Sequence, residues 1–158
     1  MDTTAWTPLR LFRTAAIAEA ITWTLLILGM IGKYVLDLGG LGVSIGGGLH
    51  GFVFLLFVVV SLLVGVNQRW SSSLVLVTLV TSILPFATIP MDRWLEGHHR
   101  LAGDWRRTSP SDPVDNGFGD RMLRTLQAHP VRMVVIGLVA VALVFTVLVV
   151  VGPPGGSS

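Results

Sequence analysis

The sequence predicts an all-α integral membrane protein, a helical bundle with four transmembrane helices. Three observations predict it. Of the 158 residues, 52% are hydrophobic and only 13% are charged, about half the charged share of an ordinary soluble domain, which is roughly a quarter. The mean hydropathy is +0.74. Four apolar stretches, at about 12–34, 41–66, 73–89 and 131–151, approach or exceed the roughly 20 residues that a helix needs to cross the hydrocarbon core. The Val-rich runs favour strands by propensity, but a spanning strand alternates polar with apolar over about 10 residues. The run 133–151 does not alternate. In lipid the backbone must satisfy itself within the segment, so an unbroken apolar run of this length is a helix.

Taken in order, the first helix follows Arg10 and Arg13, as a signal peptide would. Glu19 interrupts its apolar stretch, and Lys33 and Tyr34 follow it in place of a small-residue cleavage pattern. It reads as a retained helix. Residues 37–40 form a short Gly-containing turn into the second helix. Residues 67–72, with Trp70 suited to the membrane interface, lead to the third. Short connections favour antiparallel neighbours. The three make a membrane core over residues 1–95. Residues 96–129 form an amphipathic and flexible connection. At its start Trp94, His98, Leu101 and Trp105 recur on one helical face, as in a helix lying in the interface. The middle, 108–119, is rich in turn formers, and 121–128 suits a short helix before Pro130. A fourth helix over 130–151 has Thr146 as its one polar side chain past Met133. The tail, 152–158, has the composition of a disordered segment.

Four spans put both termini on one side. That side would carry Arg10, Arg13 and Arg69, three basic residues against eight on the other. The positive-inside rule then places the long 90–130 connection in the cytoplasm and the termini outside, in a multi-pass protein of the cell inner (plasma) membrane. The pI near 9.9 has its source in these helix-flanking arginines, and no nucleic-acid partner is expected. The chain has no cysteine, which excludes disulfides, thiolate metal sites and a cysteine nucleophile.

A few polar residues inside the apolar segments need explaining. Glu19 lies about two turns into the first helix, where an ionised side chain costs about 2.5–3.5 kcal/mol near the bilayer centre. It is either part of a functional site or a packing device paired with Arg13 or bonded across helices. His50 lies in Gly46-Gly47-Gly48-Leu49-His50-Gly51. Gly47 and Gly51 have the spacing that lets helices approach closely, and His50 points with them toward another helix. It reads as an interhelical hydrogen bond or a proton carrier, since a lone histidine does not make a metal site. If the second helix begins near Leu41, His50 falls within reach of Glu19; if it begins at Gly48, it does not. Thr81, Ser82 and Pro85 give the third helix a polar, kinked face in which a hydroxyl can satisfy backbone freed by the proline. With Glu19, Thr22 and His50 they form one candidate polar seam, weighed against ordinary hydroxyl packing. His98 and His99 point apart on a helix and lack a third ligand. No metal or cofactor is expected, and no phosphate loop, nucleophile elbow or zincin pair is present.

Several of these residues together resemble a bacterial integral-membrane family catalogued as domain of unknown function 3817. The resemblance covers about 11–95. It rests on Phe12-Arg13, Ala16 and Glu19-Ala20, on Lys33-Tyr34, on Gly47, His50-Gly51 and Phe54, on Trp70-Ser71, and on Ser82, Pro85-Phe86, Thr88 and Asp92. It implies a bacterial membrane protein with a three-helix core, to which the fourth helix is an addition, and it implies no activity. The residues thus suggest a non-enzymatic accessory or interaction subunit of a membrane complex, held in the lipid bilayer with a membrane-protein partner or a second copy. The competing class is a small proton-linked carrier using Glu19 and His50.

Overall fold

The computed structural model describes residues 7–105 and 130–151, and every element in it is a helix. The expectations for residues 106–129 and for the tail lie outside the described residues. Helix α1, Pro8–Tyr34, starts four residues earlier than its apolar stretch because local signals suffice. Thr7 caps it by accepting the Arg10 N–H at 3.2 Å, and Pro8 takes the first turn, where no N–H is needed. Asp37 and Gly39 adopt positive φ in the turn that follows. Helix α2, Leu41–Asn67, then runs back along α1. Its start at Leu41 is the one that brings His50 toward Glu19.

The close approach of α1 and α2 depends on glycine, at positions other than those expected. A methyl group on Gly29 would sit 2.5 Å from the carbonyl oxygen of Gly42, and one on Gly46 would sit 2.9 Å from that of Leu25. Gly42 and Gly46 are therefore the small-residue pair at this interface. Gly47 has room, with the nearest atom a Leu26 methyl at 3.8 Å, and Gly51 faces the Phe145 ring at 3.3 Å.

The expected third span, 73–89, is not one helix. Helix α3, Ser72–Thr81, has only ten residues, about 15 Å and half of the roughly 30 Å core. The chain turns through residues 82–87 and returns as α4, Thr88–Gly97. The return is fixed by contacts. Thr88 Oγ1 donates to the Ala16 carbonyl at 3.1 Å, and Arg13 bonds Asp92 at 3.0 Å and Glu96 at 2.6 Å. Trp70, just before α3, donates its indole N–H to the Arg100 carbonyl, just after α4, at 2.9 Å. Pro85 does not kink a helix but lies in the turn, and Phe86 beside it has φ of 64°. The helical face expected over 94–105 ends early, at Gly97. Leu101 nevertheless reaches the core with Trp105 against it, so the packed unit extends past residue 95.

Helix α5, Pro130–Val151, packs antiparallel to α2. Gly137 meets Val59, Gly51 meets Phe145, and Phe52 makes an edge contact with Phe145 at 6.1 Å. The start of α1, the end of α2, both ends of the α3–α4 hairpin and the start of α5 therefore share one end of the bundle. The grouping expected from four spans is corrected: residues 7 and 151 lie at opposite ends, because the hairpin turns back instead of crossing. The core of Phe12, Phe57, Val64, Trp70, Leu95 and Leu101 sits toward the shared end, with Phe12 and Phe57 rings 5.4 Å apart. Among the described residues two helices, α1 and α2, are long and apolar enough to cross a membrane. Their outward faces carry residues such as Ile21, Leu28 and Leu49 exposed. A soluble protein would bury such a surface.

Candidate functional site

Glu19 and His50 meet midway along the α1–α2 contact. Glu19 is fully buried, and neither of its carboxyl oxygens accepts a protein hydrogen bond. His50 Nδ1 stands 3.7 Å from Glu19 Oε2, about half an ångström beyond hydrogen-bond range. Thr22, one turn on from Glu19, donates its hydroxyl to the Glu19 carbonyl at 3.0 Å and lies 3.3 Å from His50 Nδ1. A threonine has one hydroxyl proton. Placed on the Glu19 carbonyl, that proton leaves the Thr22 oxygen to accept from a protonated Nδ1; placed toward His50, it is donated to a bare Nδ1, so the direction follows the His50 tautomer. With its hydrogen on Nε2, His50 turns a bare Nδ1 to the carboxyl group, and a carboxyl–imidazole pair then differs from a carboxylate–imidazolium pair by one proton moved from Oε2 to Nδ1, the arrangement of a proton-accepting site.

Trp23 joins this pair to the hairpin. Its ring lies 4.4 Å from that of His50, and its indole N–H donates to the Ser82 carbonyl at 3.2 Å. Phe54, one turn on in α2, tilts toward His50 with ring centroids 6.4 Å apart. Of the expected seam, Glu19, Thr22 and His50 come together. Ser82 joins through its backbone while its hydroxyl bonds the Leu79 carbonyl. Thr81 bonds back to Thr78 in its own helix. Pro85 lies in the turn beside them. Trp23 was not singled out in the sequence. It is an ordinary aromatic in an apolar run, and only the hairpin's return gives its N–H a partner.

A second polar cluster lies at the shared end. Arg13 forks to Asp92 and Glu96 across α1 and α4. Asp92 is nearly fully buried, while Arg13 and Glu96 are partly exposed. The sequence suggested Arg13 as a partner for Glu19. The structure pairs it with the hairpin, leaving Glu19 to His50. The adjacent His98 and His99 form no cluster. His98 stacks on Trp94 at 4.2 Å, and its Nδ1 lies 2.8 Å from the Trp94 carbonyl.

Fold and site together define a small helical membrane protein built around a buried acid–imidazole pair. Comparison with known proteins gives the family. Residues 9–96 match the family described as a domain of unknown function, DUF3817, and the chain belongs to it. Over 104 residues, 65% of this chain, it is 36% identical to a protein of Streptomyces coelicolor named "Putative membrane protein SCO5905". The aligned region spans 12% of that relative's length. No solved structure matches the chain. The match ends at the close of α4, so α5 stands outside it as an added helix.

Proposed function

We propose that the protein is a non-enzymatic accessory module of a larger complex in the cell inner membrane. One observation carries this reading: the region shared with the Streptomyces relative makes up 12% of that much longer chain. A unit that makes up a small part of a long chain named as a membrane protein fits a module that works beside larger membrane parts. Helix α5 supplies the surface. One side holds α2 through Gly137 and Phe145, while Val135, Val139, Leu143 and Val150 stay exposed. The test is purification in mild detergent followed by identification of co-purifying membrane proteins. A stoichiometric membrane partner, lost when Val139 and Leu143 are both changed to Trp, supports the module. A chain that purifies alone, or as a homo-oligomer, overturns the larger complex.

Charge supports an orientation for this module. The shared end collects Arg10, Arg13, Arg69, Arg93, Arg100 and Arg132, and the segment carrying Arg106, Arg107, Arg121 and Arg124 leaves and re-enters there. Among the described residues, six arginines thus stand at this end and Lys33 at the other. The positive-inside rule puts the arginine side in the cytoplasm. This reading retains the expected cytoplasmic side for the long connection and moves the start of α1 to that side as well.

The unsatisfied Glu19 carboxyl beside His50 favours a second reading, a proton-linked carrier. Proteoliposomes with an internal pH dye test it. Proton movement lost in both Glu19→Gln and His50→Ala supports the carrier, and no movement above empty vesicles overturns it.

A further inference from the structure

We propose that the cytoplasmic end of α3 is a binding site for an anionic diacyl phospholipid. Two grooves flank this half-length helix. One, of about 570 Å³, runs between α2 and α3 and is walled by Leu62, Val66, Leu76 and Leu79. The other, of about 680 Å³, runs between α3 and α4 and is walled by Leu74, Val77, Met91 and Trp94. Both volumes fall in the range of ligand clefts, about 300–1,000 Å³. Arg69 lines both grooves where they open, and Arg100, Ser71 and Ser73 line the mouth of the second.

The pattern is that of a two-tailed amphiphile. Two apolar channels separated by one helix converge on two guanidinium groups and two hydroxyls. Guanidinium binds phosphate oxygens with matched geometry. Neither groove is lined by a carboxylate among the described residues. The two acidic side chains of α4, Asp92 and Glu96, are turned to Arg13 instead. Trp94, with one groove at its edge, suits the interface depth of a glycerol backbone. Helix α3 is also the right length. About 15 Å of helix accompanies acyl chains through one leaflet only. On the arginine-rich side that leaflet is the one richer in anionic lipid.

The test uses the full chain in phosphatidylcholine nanodiscs and reads the fluorescence of Trp94, taken as the difference from Trp94→Phe. A minor fraction of acyl-brominated phosphatidylglycerol is expected to quench Trp94 well before the same fraction of acyl-brominated phosphatidylcholine does. Each arginine beside an anionic headgroup is worth about a five-fold preference. Arg100→Gln should therefore weaken the preference about five-fold and Arg69→Gln with Arg100→Gln about 30-fold. Val77→Phe, which fills the α3–α4 groove and leaves the charges intact, should reduce quenching by the anionic lipid. It guards against an Arg69 variant that only disturbs its turn. Equal quenching by the two lipids overturns the site. So does a preference that survives all three variants, and so does protection by added inorganic phosphate, which would mark a site for a soluble anion.

Discussion

Substituting Gly29 by alanine should destabilise the bundle, while the same change at Gly47 should not. The methyl group at Gly29 would lie 2.5 Å from the Gly42 carbonyl oxygen, 2.6 Å from its carbon and 2.9 Å from the Val43 nitrogen. All three are backbone atoms, so no rotamer relieves the clash. Ordinary contact begins near 3.4 Å, so α1 and α2 must part by most of an ångström at this level. Overpacking of this kind costs about 1–3 kcal/mol. Alanine also removes the helix-interior penalty of glycine, worth about 1 kcal/mol in water, so the net loss should be about 0–2 kcal/mol. At Gly47 the nearest atom is a side-chain methyl at 3.8 Å. There the propensity gain stands alone, and stability should rise by up to about 1 kcal/mol. The difference between the two variants, about 1–3 kcal/mol, removes the shared propensity contribution and measures the clash. Reversible unfolding in mixed micelles, followed by circular dichroism against the mole fraction of dodecyl sulfate, reads it directly. Equal stabilities would refute the α1–α2 register.

Three further outcomes follow from the same geometry. Glu19→Met should leave stability unchanged or raise it, by up to about 3 kcal/mol in the same unfolding assay, because a well-packed apolar residue often improves on a buried polar one that lacks partners. A loss above about 1 kcal/mol would mean that an unseen hydrogen bond holds the carboxyl group and that its role is structural. Arg13→Gln strips the fork from Asp92 and Glu96. Discounted for exposure, it should cost about 1–2 kcal/mol and speed amide exchange through α4; unchanged exchange there would dismiss the fork as a surface pair. For topology, cysteine at Asp37 should react with an impermeant maleimide added to intact cells, while cysteine at Ser71 should react only after lysis; the reverse pattern would invert the orientation.

The helices were legible where apolar length decides. The sequence bounds of the second helix end within one residue of those observed for α2, because glycine ends the preceding turn and apolar residues run to Asn67. The third helix was not legible. Its apolar run is nearly long enough to span, and nothing local in Thr81-Ser82 states that the chain will reverse. Pro85 signalled a break, but a kinked span and a hairpin share that signal. What separates them is long-range: Asp92 and Glu96 seek Arg13, and Thr88 seeks the Ala16 carbonyl. The topology followed the same error, since one segment that turns back moves every later residue to the other side. The Glu19–His50 meeting was legible as a condition on where α2 begins. Of the expected packing glycines, Gly51 meets α5 at Phe145 while Gly47 has room; Gly42 and Gly46 were missed because all four lie at helical spacings, and the face that meets α1 is set by α1.

The hairpin turn raises the sharpest physical question in the molecule. Non-helical backbone at membrane depth is tolerated only where protein satisfies it. Residues 82–87 meet part of that demand locally, with Ile83, Leu84 and Ala87 N–H groups bonded to Val80, Thr81 and Leu84 carbonyls. The Ser82 carbonyl is met from outside the hairpin, by Trp23. That indole also lies against the His50 ring at a tilt of 50°, so the turn and the buried pair share one side chain. Trp23→Phe keeps an aromatic ring against His50 and removes only the donor. Interhelical bonds in membrane proteins average about 0.6 kcal/mol and reach about 1.7; a carbonyl left bare in an apolar setting puts this one toward the upper figure. Amide exchange over residues 82–87 should then rise by about 3- to 17-fold if opening follows that free energy, with α2 unchanged except near His50. Exchange that stays at the wild-type rate would mean that the turn holds itself, and that Trp23 serves His50 alone.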